Sequence, residues 1–238
     1  MGDIEVSAVI PVFNDRTALE MALPKSLSAL EQIAPGFELI IAEDGSTDGT
    51  AEFVREKAAA DPRVRLLHSD ERLGRGRALT RAFNEARGGI VCYYDVDLAT
   101  DLAHLGELIG AIRGGSDIAT GSRLLPSSEV TRTGEREVAS RVYNALVRVI
   151  LGSRVHDHQC GFKAFNRKRI LSLLPSVRAT HWFWDTEVLV RGQRAGFLVT
   201  EFPVVWRTGR TTTVRFADVF EMGGAILFLW WQLHGPKG

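Results

Sequence analysis

The stretch VCYYDVDLAT, residues 91–100, opens as an apolar run and closes on two carboxylates, Asp95 and Asp97. This pattern predicts a buried strand that delivers its charges at the carboxyl edge of a sheet, where ligands bind in open α/β folds. Because side chains alternate along an extended chain, both carboxylates are expected on one side, as oxygen ligands for Mg²⁺ or Mn²⁺. The alternative is a solvated Asp-x-Asp turn, so the flanking sequence decides between the two interpretations.

Apolar strand patterns alternate with helical patterns on both sides of this stretch. The predicted strands are residues 6–11, 38–42, 64–68, 90–94 and 117–121, and the predicted helices are residues 19–33, 47–60, 78–86 and 102–112. Residues 46–48 offer capping side chains for the second helix. Repeated alternation of this kind predicts an α/β fold in which helices flank a mostly parallel central sheet on both faces.

After Gly121 the alternation stops. Residues 122–137 are polar, with charges of both signs, and predict a long loop of the kind that is often functional. The later predicted elements are strands at residues 161–165 and 197–206 and helices at residues 139–151, 167–174 and 185–195. Neither an internal repeat nor a linker interrupts the sequence, so a single domain is expected.

The composition is that of a globular protein with a sizeable core. Of 238 residues, 45% are hydrophobic and 24% are charged, and the formal net charge is zero. A nucleic-acid-binding protein usually carries a basic excess, so no nucleic-acid partner is expected. Cys92 and Cys160 lie in apolar surroundings and are expected to be reduced, in a reducing compartment, and no secretory leader pattern opens the sequence.

The longest uncharged apolar stretch is MGGAILFLWWQL, residues 222–233. It is shorter than the about 20 residues that a membrane-spanning helix needs. Three interpretations stay open: a terminal helix packed on its own domain, an interfacial anchor, or the start of a longer membrane segment. Trp230 and Trp231 beside leucine and phenylalanine suit a membrane interface, and burial on the domain is the equal alternative.

Polar residues also follow the first two predicted strands. Residues 11–15 read PVFND, and residues 43–50 read EDGSTDGT, in which Asp44 leaves the strand before a capped helix. A carboxylate there can accept hydrogen bonds from a nucleobase or a ribose, and the helix amino terminus favours anions. The alternative is an ordinary strand-to-helix turn.

The segment LGRGRA, residues 73–78, carries a Gly-x-Gly pair before a predicted helix and is similar to a phosphate-binding loop. It lacks the third glycine of the dinucleotide fingerprint and does not follow the first strand, which argues against a nicotinamide site. The two glycines still allow the backbone to approach a nucleotide that is not a nicotinamide cofactor.

Together these motifs resemble those of the family 2 glycosyltransferases with the GT-A fold, over about residues 6–205. The closer resemblance is to the polyprenyl-phosphate hexose synthases, which are the dolichyl-phosphate mannose and dolichyl-phosphate glucose synthases. The matching segments, in order, are IPVFND (10–15), AEDGSTDGT (42–50), LGRGRAL (73–79), YYDVDLAT (93–100), TGSRL (120–124), HQCGFKAF (158–165) and DTEVL (185–189). The resemblance implies one GT-A domain over residues 1–238, with a nucleotide-binding half at 4–121, an acceptor-binding half at 122–215 and an apolar C-terminal helix at 216–238.

The resemblance also implies roles for individual residues. Asp44 is expected to contact the nucleobase, and Asp95 and Asp97 are expected to hold Mg²⁺ or Mn²⁺ on the donor diphosphate. Asp97 and Arg123 are the implied catalytic residues. The set implied in nucleotide-sugar binding is Pro11, Asn14, Asp15, Asp44, Ser46, Gly74, Arg75, Asp95, Val96 and Asp97.

By the same resemblance, Arg123, which follows the fifth predicted strand, is expected to meet the phosphate of the lipid acceptor or the leaving diphosphate, helped by Arg136 or Arg141. Lys163, which follows Gly161 and Phe162, is a further candidate for contact with the acceptor phosphate. Arginine suits this role because its planar guanidinium binds phosphate bidentately. The alternatives are surface ion pairs for the arginines, which contribute little stability, and a solvated strand end for Lys163.

Asp185 and Glu187 are implied as sugar contacts, and carboxylates stabilised at a helix amino terminus are the alternative. They lie about 200° apart around a helix, so they are not expected to share one ion. The polar triplet at residues 156–158, HDH, is interpreted as loop polarity rather than as a metal site, because no further set of ligands follows it.

Some positions depart from the mannose-type pattern. Ala99 stands where mannose-type members often carry a metal-binding glutamine, and the segment QCGFK at residues 159–163 is more similar to the glucose type. These departures favour UDP-glucose over GDP-mannose as the donor. Residues 208–213 read TGRTTT in place of the Gly-Ser-Lys common near the last strand, with Arg210 as the candidate cation.

The implied activity is metal-dependent, inverting transfer of a hexose from a nucleotide-diphosphate sugar to a polyprenyl or dolichyl phosphate, at the cytoplasmic face of a membrane. One alternative is transfer to a sugar or protein hydroxyl, for which Asp185 or Glu187 would be the base. Another is a nucleotide-sugar-binding module without catalytic activity. The sequence leaves the oligomeric state open.

Overall fold

The fold is seen in a computed structural model that describes residues 3–131, 134–207 and 216–235, except for the side chains of residue 136 and of residues 216–222. The strands are β1 (Val6–Val12), β2 (Phe37–Glu43), β3 (Val64–Leu67), β4 (Ile90–Tyr94), β5 (Ile118–Ser122), β6 (Glu129–Thr131), β7 (Phe162–Asn166), β8 (Val199–Pro203) and β9 (Val205–Arg207). The helices are α1 (Arg16–Ile33), α2 (Thr50–Ala60), α3 (Arg75–Glu85), α4 (Leu105–Arg113), α5 (Gly134–Leu151), α6 (Arg167–Leu173), α7 (Trp184–Arg194) and α8 (Phe216–His234).

Seven strands form one sheet in the order β3-β2-β1-β4-β7-β5-β8. The first four of these strands are parallel to one another, β7 runs antiparallel to both of its neighbours, and β8 pairs parallel with β5. Every residue of β1, β2 and β4 is buried, as expected for parallel strands that are covered on both faces. The predicted α/β fold with a mostly parallel central sheet and flanking helices is therefore confirmed.

Apolar side chains fill the space between the sheet and the helices on both faces. On one face α1 and α4 contribute Leu19 and Leu108 to the core. On the other face α3 and α7 contribute Phe83 and Trp184, whose rings meet edge to face with centroids 5.9 Å apart. Because β1 to β4 run parallel, the polar groups that follow these strands gather at one edge of the sheet.

The predicted strand at residues 197–206 is in fact two strands. β8 ends at Pro203, paired with β5, whereas β9 begins at Val205, paired with β6 in a separate two-stranded sheet. Between them the carbonyl of Val204 accepts the N–H of Glu129 (3.1 Å). The chain therefore changes from one sheet to the other at Val204.

Most helices begin a few residues away from the predicted start, and α2 and α5 show why. α2 begins at Thr50 behind Gly49, the N-cap residue, whose φ of 82° lies in the left-handed region. Among the predicted capping side chains, Asp48 accepts the N–H of Thr50 through Oδ1 (3.1 Å). α5 begins at Gly134, so the predicted loop at residues 122–137 contains β6 and the first turn of a helix.

The predicted C-terminal helix is present as α8. Among the residues that the structure describes, no helix combines the length and the apolar character needed to cross a bilayer. Arg210 and the rest of the 208–213 segment lie outside the described residues. The membrane association of α8 and the division into nucleotide-binding and acceptor-binding halves stay predictions.

Candidate active site

The Asp-x-Asp motif forms a turn after β4 and does not continue the strand. β4 ends at Tyr94, and the N–H of Leu98 donates to the carbonyl of Asp95 across the turn (3.1 Å). The expected reason for their common placement, alternation along a strand, therefore does not apply, because the chain is no longer extended at these residues. Asp97 is the more exposed of the two aspartates, and Val96 separates it from the half-buried Asp95 in the turn.

Asp95 is held between a guanidinium group and a glycine. Its Oδ1 accepts hydrogen bonds from Nη2 and Nε of Arg75 (2.7 and 3.2 Å). Its N–H donates to the carbonyl of Gly161 (3.2 Å). A Cβ atom at residue 161 would lie only 1.8 Å from Oδ2 of Asp95, so this close approach requires glycine. Gly161 thus shapes the Asp-x-Asp turn from a segment more than sixty residues away in sequence.

The variant Gly161→Ala is expected to displace the Asp95 carboxylate and to weaken metal-dependent donor binding by at least about 10-fold, the size of effect seen when groups that orient metal ligands are lost. Calorimetric titration with Mn²⁺ and UDP measures the binding, and thermal denaturation checks that the variant is folded. Gly89→Ala is the matched control, because a Cβ there meets nothing within 4 Å. Equal donor affinity in the two variants would contradict the role of Gly161.

Asp97 stands in a cluster of negative charge. Partial burial raises the pKa of Asp97, and the carboxylates of Asp95 and Asp15 raise it further. A divalent cation would relieve this repulsion, and carboxylate oxygens suit Mg²⁺ or Mn²⁺. Over the described residues, no three His, Cys, Asp or Glu side chains surround one point, so a bound ion would take its other ligands from the donor diphosphate and water. The two aspartates therefore fit the predicted metal role.

Asp44 links the end of β2 to the residues that precede α3. Its Oδ1 accepts the N–H of Leu73 and its Oδ2 accepts the N–H of Gly74, both at 2.9 Å. Pro11 is buried in β1, paired in register with Ala42 of β2. The contact of Asp44 with a nucleobase stays a prediction, and the structure adds that this carboxylate positions the backbone ahead of α3.

The loops that follow β1 and β2 are joined by hydrogen bonds. Asn14, with a φ of 49°, donates its N–H to Oγ of Ser46 (2.9 Å), and its Oδ1 accepts the N–H of Thr47 (2.8 Å). Asp15 caps α1 by accepting the N–H of Ala18 (3.4 Å). The structure thus brings together the predicted nucleotide-binding residues of these two loops at the carboxyl edge of the sheet.

Neighbouring residues without a predicted role complete this region. Glu43 is buried, accepts the N–H of Ser46 and contacts the ring of His68. The guanidinium of Arg72 lies 4.1 Å from the ring centroid of Phe13. The sequence signal for these residues was only their adjacency to Asn14, Asp44 and the Gly-x-Gly segment.

The Gly-x-Gly segment is the first turn of α3, and its glycines face the protein itself. A Cβ at Gly74 would lie 2.6 Å from the carbonyl oxygen of Thr180, and a Cβ at Gly76 would lie 2.6 Å from Cβ of Trp184. The N–H of Gly76 donates to the carbonyl of Thr180 (2.8 Å). The similarity to a phosphate-binding loop is therefore corrected: these glycines make room for residues 180–184 instead of forming an open cradle.

Lys163 is fully buried beneath the Asp-x-Asp turn. Its Nζ lies 3.2 Å from Oδ1 of Asp185 and donates to the carbonyls of His158 (3.1 Å) and Cys160 (2.5 Å). The prediction that Lys163 contacts the acceptor phosphate is therefore wrong, because its three donors are already used inside the protein.

Asp185 belongs to the same buried network. Its Oδ2 accepts a hydrogen bond from Nη1 of Arg75 (2.6 Å), and its Oδ1 accepts one from the hydroxyl of Tyr93. Burial by itself would raise the pKa of Asp185, but Lys163 and Arg75 hold that pKa below its usual value. Both oxygens are thus engaged, and the structure gives Asp185 a role in positioning Arg75, which in turn holds Asp95, in place of the predicted sugar contact.

Glu187 lies on α7 but faces away from this network. One carboxylate oxygen accepts hydrogen bonds from the backbone N–H groups of Arg178 (2.9 Å) and Ala179 (2.7 Å). The other oxygen accepts a hydrogen bond from Nε of Arg191 (2.7 Å). The predicted sugar contact is therefore wrong for Glu187, which is buried and stabilises the loop before α7. The expected separation of Asp185 from Glu187 around the helix explains the difference.

Arg123 follows β5 and is fixed by a buried carboxylate. Its Nε and Nη2 donate to the two oxygens of Asp157 (2.7 and 2.9 Å), and its backbone N–H donates to Oδ2 (3.0 Å). Burial alone would raise the pKa of Asp157, but the Arg123 guanidinium holds it well below its usual range. Burial by itself would lower the pKa of Arg123, but the charge of Asp157 and, more weakly, that of Asp95 raise it. Among the described residues, the side-chain hydrogen bonds of Arg123 use Nε and Nη2 and leave Nη1 without one.

The interpretation of residues 156–158 as loop polarity missed that Asp157 fixes Arg123. Its neighbour His158 is buried, with Nδ1 2.7 Å from Oδ1 of Asn144 and Nε2 2.7 Å from Oγ of Ser153, and burial lowers the pKa of His158 to about 3. The triplet is therefore structural and holds Arg123 in place. Its sequence signal is weak, because polar residues before a strand are common.

The remaining predicted phosphate contacts lie on α5. Arg141 is exposed and donates through Nε to Glu137 one helical turn earlier (2.9 Å). This is the surface ion pair expected as the alternative, and such pairs contribute little stability. The side chain of Arg136 lies outside the described residues, so its contact with phosphate stays a prediction.

The strand order and the Asp-x-Asp turn that follows β4 fit the GT-A class of fold that the sequence motifs resemble. The sequence model described as Glycosyl transferase family 2 matches residues 7–172, and the chain belongs to that family. The glucosyl-3-phosphoglycerate synthase of Mycobacterium tuberculosis, in a complex with Mn²⁺ and UDP, shares this fold with a TM-score of 0.69 and 21% identity, over 99% of this chain and 81% of that one.

Proteins with higher sequence identity point in the same direction. The chain is 50% identical to the glycosyltransferase AglD of Haloferax volcanii over 97% of its own length, and it spans 38% of that protein. It is 30% identical to the polyprenol monophosphomannose synthase of Mycolicibacterium smegmatis, over 91% of this chain and 80% of that one. It is 29% identical to the dolichyl-phosphate beta-glucosyltransferase ALG5C of Trichomonas vaginalis, over 92% of this chain and 69% of that one.

Proposed function

We propose that the protein transfers a hexose, with inversion, from a nucleotide-diphosphate sugar to a polyprenyl phosphate such as dolichyl phosphate. The observation that carries this proposal is Arg123, fixed by Asp157 at the carboxyl end of β5 and within electrostatic reach of Asp95. An arginine held in this way suits an anionic acceptor beside an anionic donor. UDP-glucose is the favoured donor, because of Ala99 and the QCGFK segment, and GDP-mannose is the next.

The acceptor is a phosphate monoester, whose second pKa near about 6 makes it largely dianionic at neutral pH. One of its oxygens forms a bond to the anomeric carbon while the bond from that carbon to the donor diphosphate breaks, and the electron pair leaves with the nucleotide. No proton has to be removed from the nucleophile. Arg123 would reduce repulsion between the two anions and fix the line of attack.

Mg²⁺ or Mn²⁺ held by Asp95 and Asp97 would neutralise the charge that develops on the leaving diphosphate. The residues of this chain that support it are Arg75, which orients Asp95, and Asp185, which orients Arg75. The buried network beneath the turn therefore serves to hold the carboxylates in place before the donor binds.

Transfer to a sugar or protein hydroxyl is the alternative within the same fold, and it requires a carboxylate base. Both predicted bases are engaged elsewhere, Asp185 with Arg75 and Tyr93, and Glu187 with the loop at residues 178–179. This observation favours the phosphate acceptor.

The other alternative is a nucleotide-sugar-binding module without catalytic activity. Such a module would retain Asp44, Asp95 and Asp97 although it catalyses no transfer. Measured turnover of the donor with any acceptor would exclude it.

The proposed acceptor lies in a bilayer, and we propose that the protein acts at the cytoplasmic face of a membrane, which α8 contacts. The test of the activity is transfer of radiolabelled glucose from UDP-glucose, and separately of mannose from GDP-mannose, to a short polyprenyl phosphate. We expect lipid-extractable label with one of the two donors. Formation of this product should stop when EDTA is added and resume when Mg²⁺ or Mn²⁺ is restored. Label in a sugar or protein fraction would support a hydroxyl acceptor, and donor binding without any product would support a binding module.

A further inference from the structure

Trp206 is an aromatic residue beside the candidate active site to which the sequence motifs assign no role. It lies in β9 and is half-buried. Together with Asp95 and Asp97 it lines a small cavity at the Asp-x-Asp turn. Gly161, whose close approach to Asp95 shapes this turn, lines the same cavity. Trp206 therefore borders the space next to the carboxylates of the predicted metal site.

The backbone of β9 is bonded to the segment that follows the Asp-x-Asp turn. The N–H of Arg207 donates to the carbonyl of Ala99 (2.8 Å). The N–H of Asp101 donates to the carbonyl of Val205 (3.1 Å). Because these bonds lie on both sides of Trp206 in the chain, this residue keeps a fixed position relative to the turn.

The side chain of Trp206 contacts the guanidinium of Arg123. The central carbon of this guanidinium lies over the indole ring, 5.7 Å from its centroid. This distance is within the about 6 Å at which an aromatic face attracts a cation. Asp157 binds the same guanidinium through Nε and Nη2. A carboxylate and an aromatic ring therefore hold Arg123 together, and neither of them uses Nη1.

Arg75 is built into the site in the same way, but each of its nitrogens is engaged. Its guanidinium lies over the ring of Tyr93, 5.1 Å from the centroid. Its Nε and Nη2 donate to Asp95, and its Nη1 donates to Asp185. Arg75 therefore positions a carboxylate of the site. Arg123 retains a nitrogen for a ligand and is the arginine that an aromatic neighbour can prepare for an anion.

We propose that Trp206 is a positioning residue for the acceptor phosphate. Its ring holds the guanidinium of Arg123, and its backbone fixes that ring to the Asp-x-Asp turn, so the acceptor arginine keeps a set distance from the donor side. This inference rests on the proposed function in one respect, because the ligand of Arg123 is a phosphate monoester only if that function is correct. It deepens the function by assigning the residue that links the two sides of the site.

The ring also keeps water from one face of the guanidinium. A charge that is less hydrated attracts a phosphate more strongly, because the local dielectric screening is weaker. Without the ring, Asp157 still compensates the charge of Arg123, so the chain should fold and the carboxylates of the turn should stay in place. The guanidinium would lose one of its two supports, and the acceptor phosphate would be held less firmly in line with the donor.

The first test compares Trp206→Phe with Trp206→Leu in hexose transfer to a short, water-soluble isoprenyl phosphate. Both replacements are apolar and smaller than tryptophan, but only phenylalanine keeps an aromatic face for Arg123. We expect kcat/KM for the acceptor to fall at least about 10-fold in Trp206→Leu and to stay within about 3-fold of the parent in Trp206→Phe. The affinity for UDP with Mn²⁺, measured by calorimetry, should be the same in all three proteins, because the backbone of the turn is unchanged.

Phe197→Leu is the matched control for this test. The ring of Phe197 lies 4.1 Å from the guanidinium carbon of Arg169, before β8 and not after it, so its loss should leave transfer unchanged. Equal transfer by Trp206→Phe and Trp206→Leu would overturn the proposal, as would a loss of UDP affinity in Trp206→Leu as large as its loss of acceptor use. Thermal denaturation checks folding, and Trp206→Met replaces Trp206→Leu, with the same expected result, if the leucine variant is unfolded.

The second test separates the role of Trp206 from the proposed activity. Calorimetry measures binding of the isoprenyl phosphate to the protein with UDP and Mn²⁺ present, where no hexose is available for transfer. Trp206→Leu should bind at least about 10-fold more weakly than the parent and Trp206→Phe. If the parent and the variants bind in this order but the parent transfers no hexose, the proposed function fails and the role of Trp206 stands. If the parent transfers hexose and all three proteins bind alike, the role of Trp206 fails and the function stands. No binding by the parent would overturn both.

Discussion

Replacement of Asp97 by Asn is expected to reduce hexose transfer by at least about 100-fold, because the variant loses a group that helps to stabilise developing charge. The same replacement is expected to make the folded state more stable. The pKa of Asp97 is raised in the folded protein by partial burial and by Asp95 and Asp15. Folding therefore disfavours the charged form that predominates at neutral pH. Asn removes the charge and keeps an oxygen for the N–H of Ala99, which donates to Oδ1 of Asp97 (3.0 Å).

The pH dependence gives this prediction a defined sign. A carboxyl whose pKa is raised on folding favours the folded state at low pH and loses that contribution as the pH rises through the folded pKa. The melting temperature of Asp97→Asn without metal should therefore exceed that of the parent most at neutral pH, and the difference should vanish below about pH 3.9, the ordinary pKa of aspartate.

Thermal denaturation with and without Mg²⁺, together with kcat/KM, measures both parts of the prediction. The ion should raise the melting temperature of the parent and leave that of Asp97→Asn unchanged, because only a ligand that binds the folded state stabilises it. Glu56→Gln is the control, since Glu56 is an exposed carboxylate on α2. Turnover in Asp97→Asn equal to that of the control would remove Asp97 from the mechanism.

Neutralising Arg123 alone, as Arg123→Gln, is expected to lower the free energy of unfolding by about 3–5 kcal/mol, as when one partner of a buried ion pair is removed. Asp157 is fully buried and accepts both side-chain hydrogen bonds of Arg123. Without the guanidinium it becomes a buried carboxylate that lacks its counter-charge. Urea denaturation measures the loss. An unfolding free energy equal to that of the parent would show that this pair contributes nothing to the fold.

The double variant Arg123→Gln/Asp157→Asn separates the structural role of Arg123 from its role in transfer. With both charges removed, most of the lost stability should return, because no charge is left buried. Transfer to a polyprenyl phosphate should stay reduced by at least about 100-fold, with the donor KM little changed, since the proposed contact of Arg123 with the acceptor phosphate is absent. If transfer recovers together with stability, Arg123 serves the fold alone.

The strands of the first half could be predicted from the sequence to within one residue at each end. β1, β2 and β4 are buried on both faces, so each appears as a mostly apolar run, interrupted by Ser7 in β1 and by Glu38 in β2. That information is local, and it was enough for the fold class and for placing Asp44, Asp95 and Asp97 at one edge of the sheet.

The later strands show where local patterns stop being informative. The direction of β7, antiparallel between β4 and β5, depends on which edges meet in the sheet and not on its own five residues. The division of the apolar run at residues 197–206 depends on two different partners, β5 and β6. An apolar run indicates burial, but the strand that it pairs with is chosen by the rest of the chain.

The candidate site divides in the same way. The sequence by itself determined which residue types lie at the edge of the sheet: the Asp-x-Asp pair, Asp44 and an arginine after β5. Only the tertiary structure decided that Lys163 and Asp185 lie beneath the turn, that Glu187 faces away, and that Asp157 holds Arg123. The reason is physical: a charged side chain leaves water only where a partner compensates the lost hydration, and here the partners come from as far as 110 residues along the chain, as Arg75 does for Asp185.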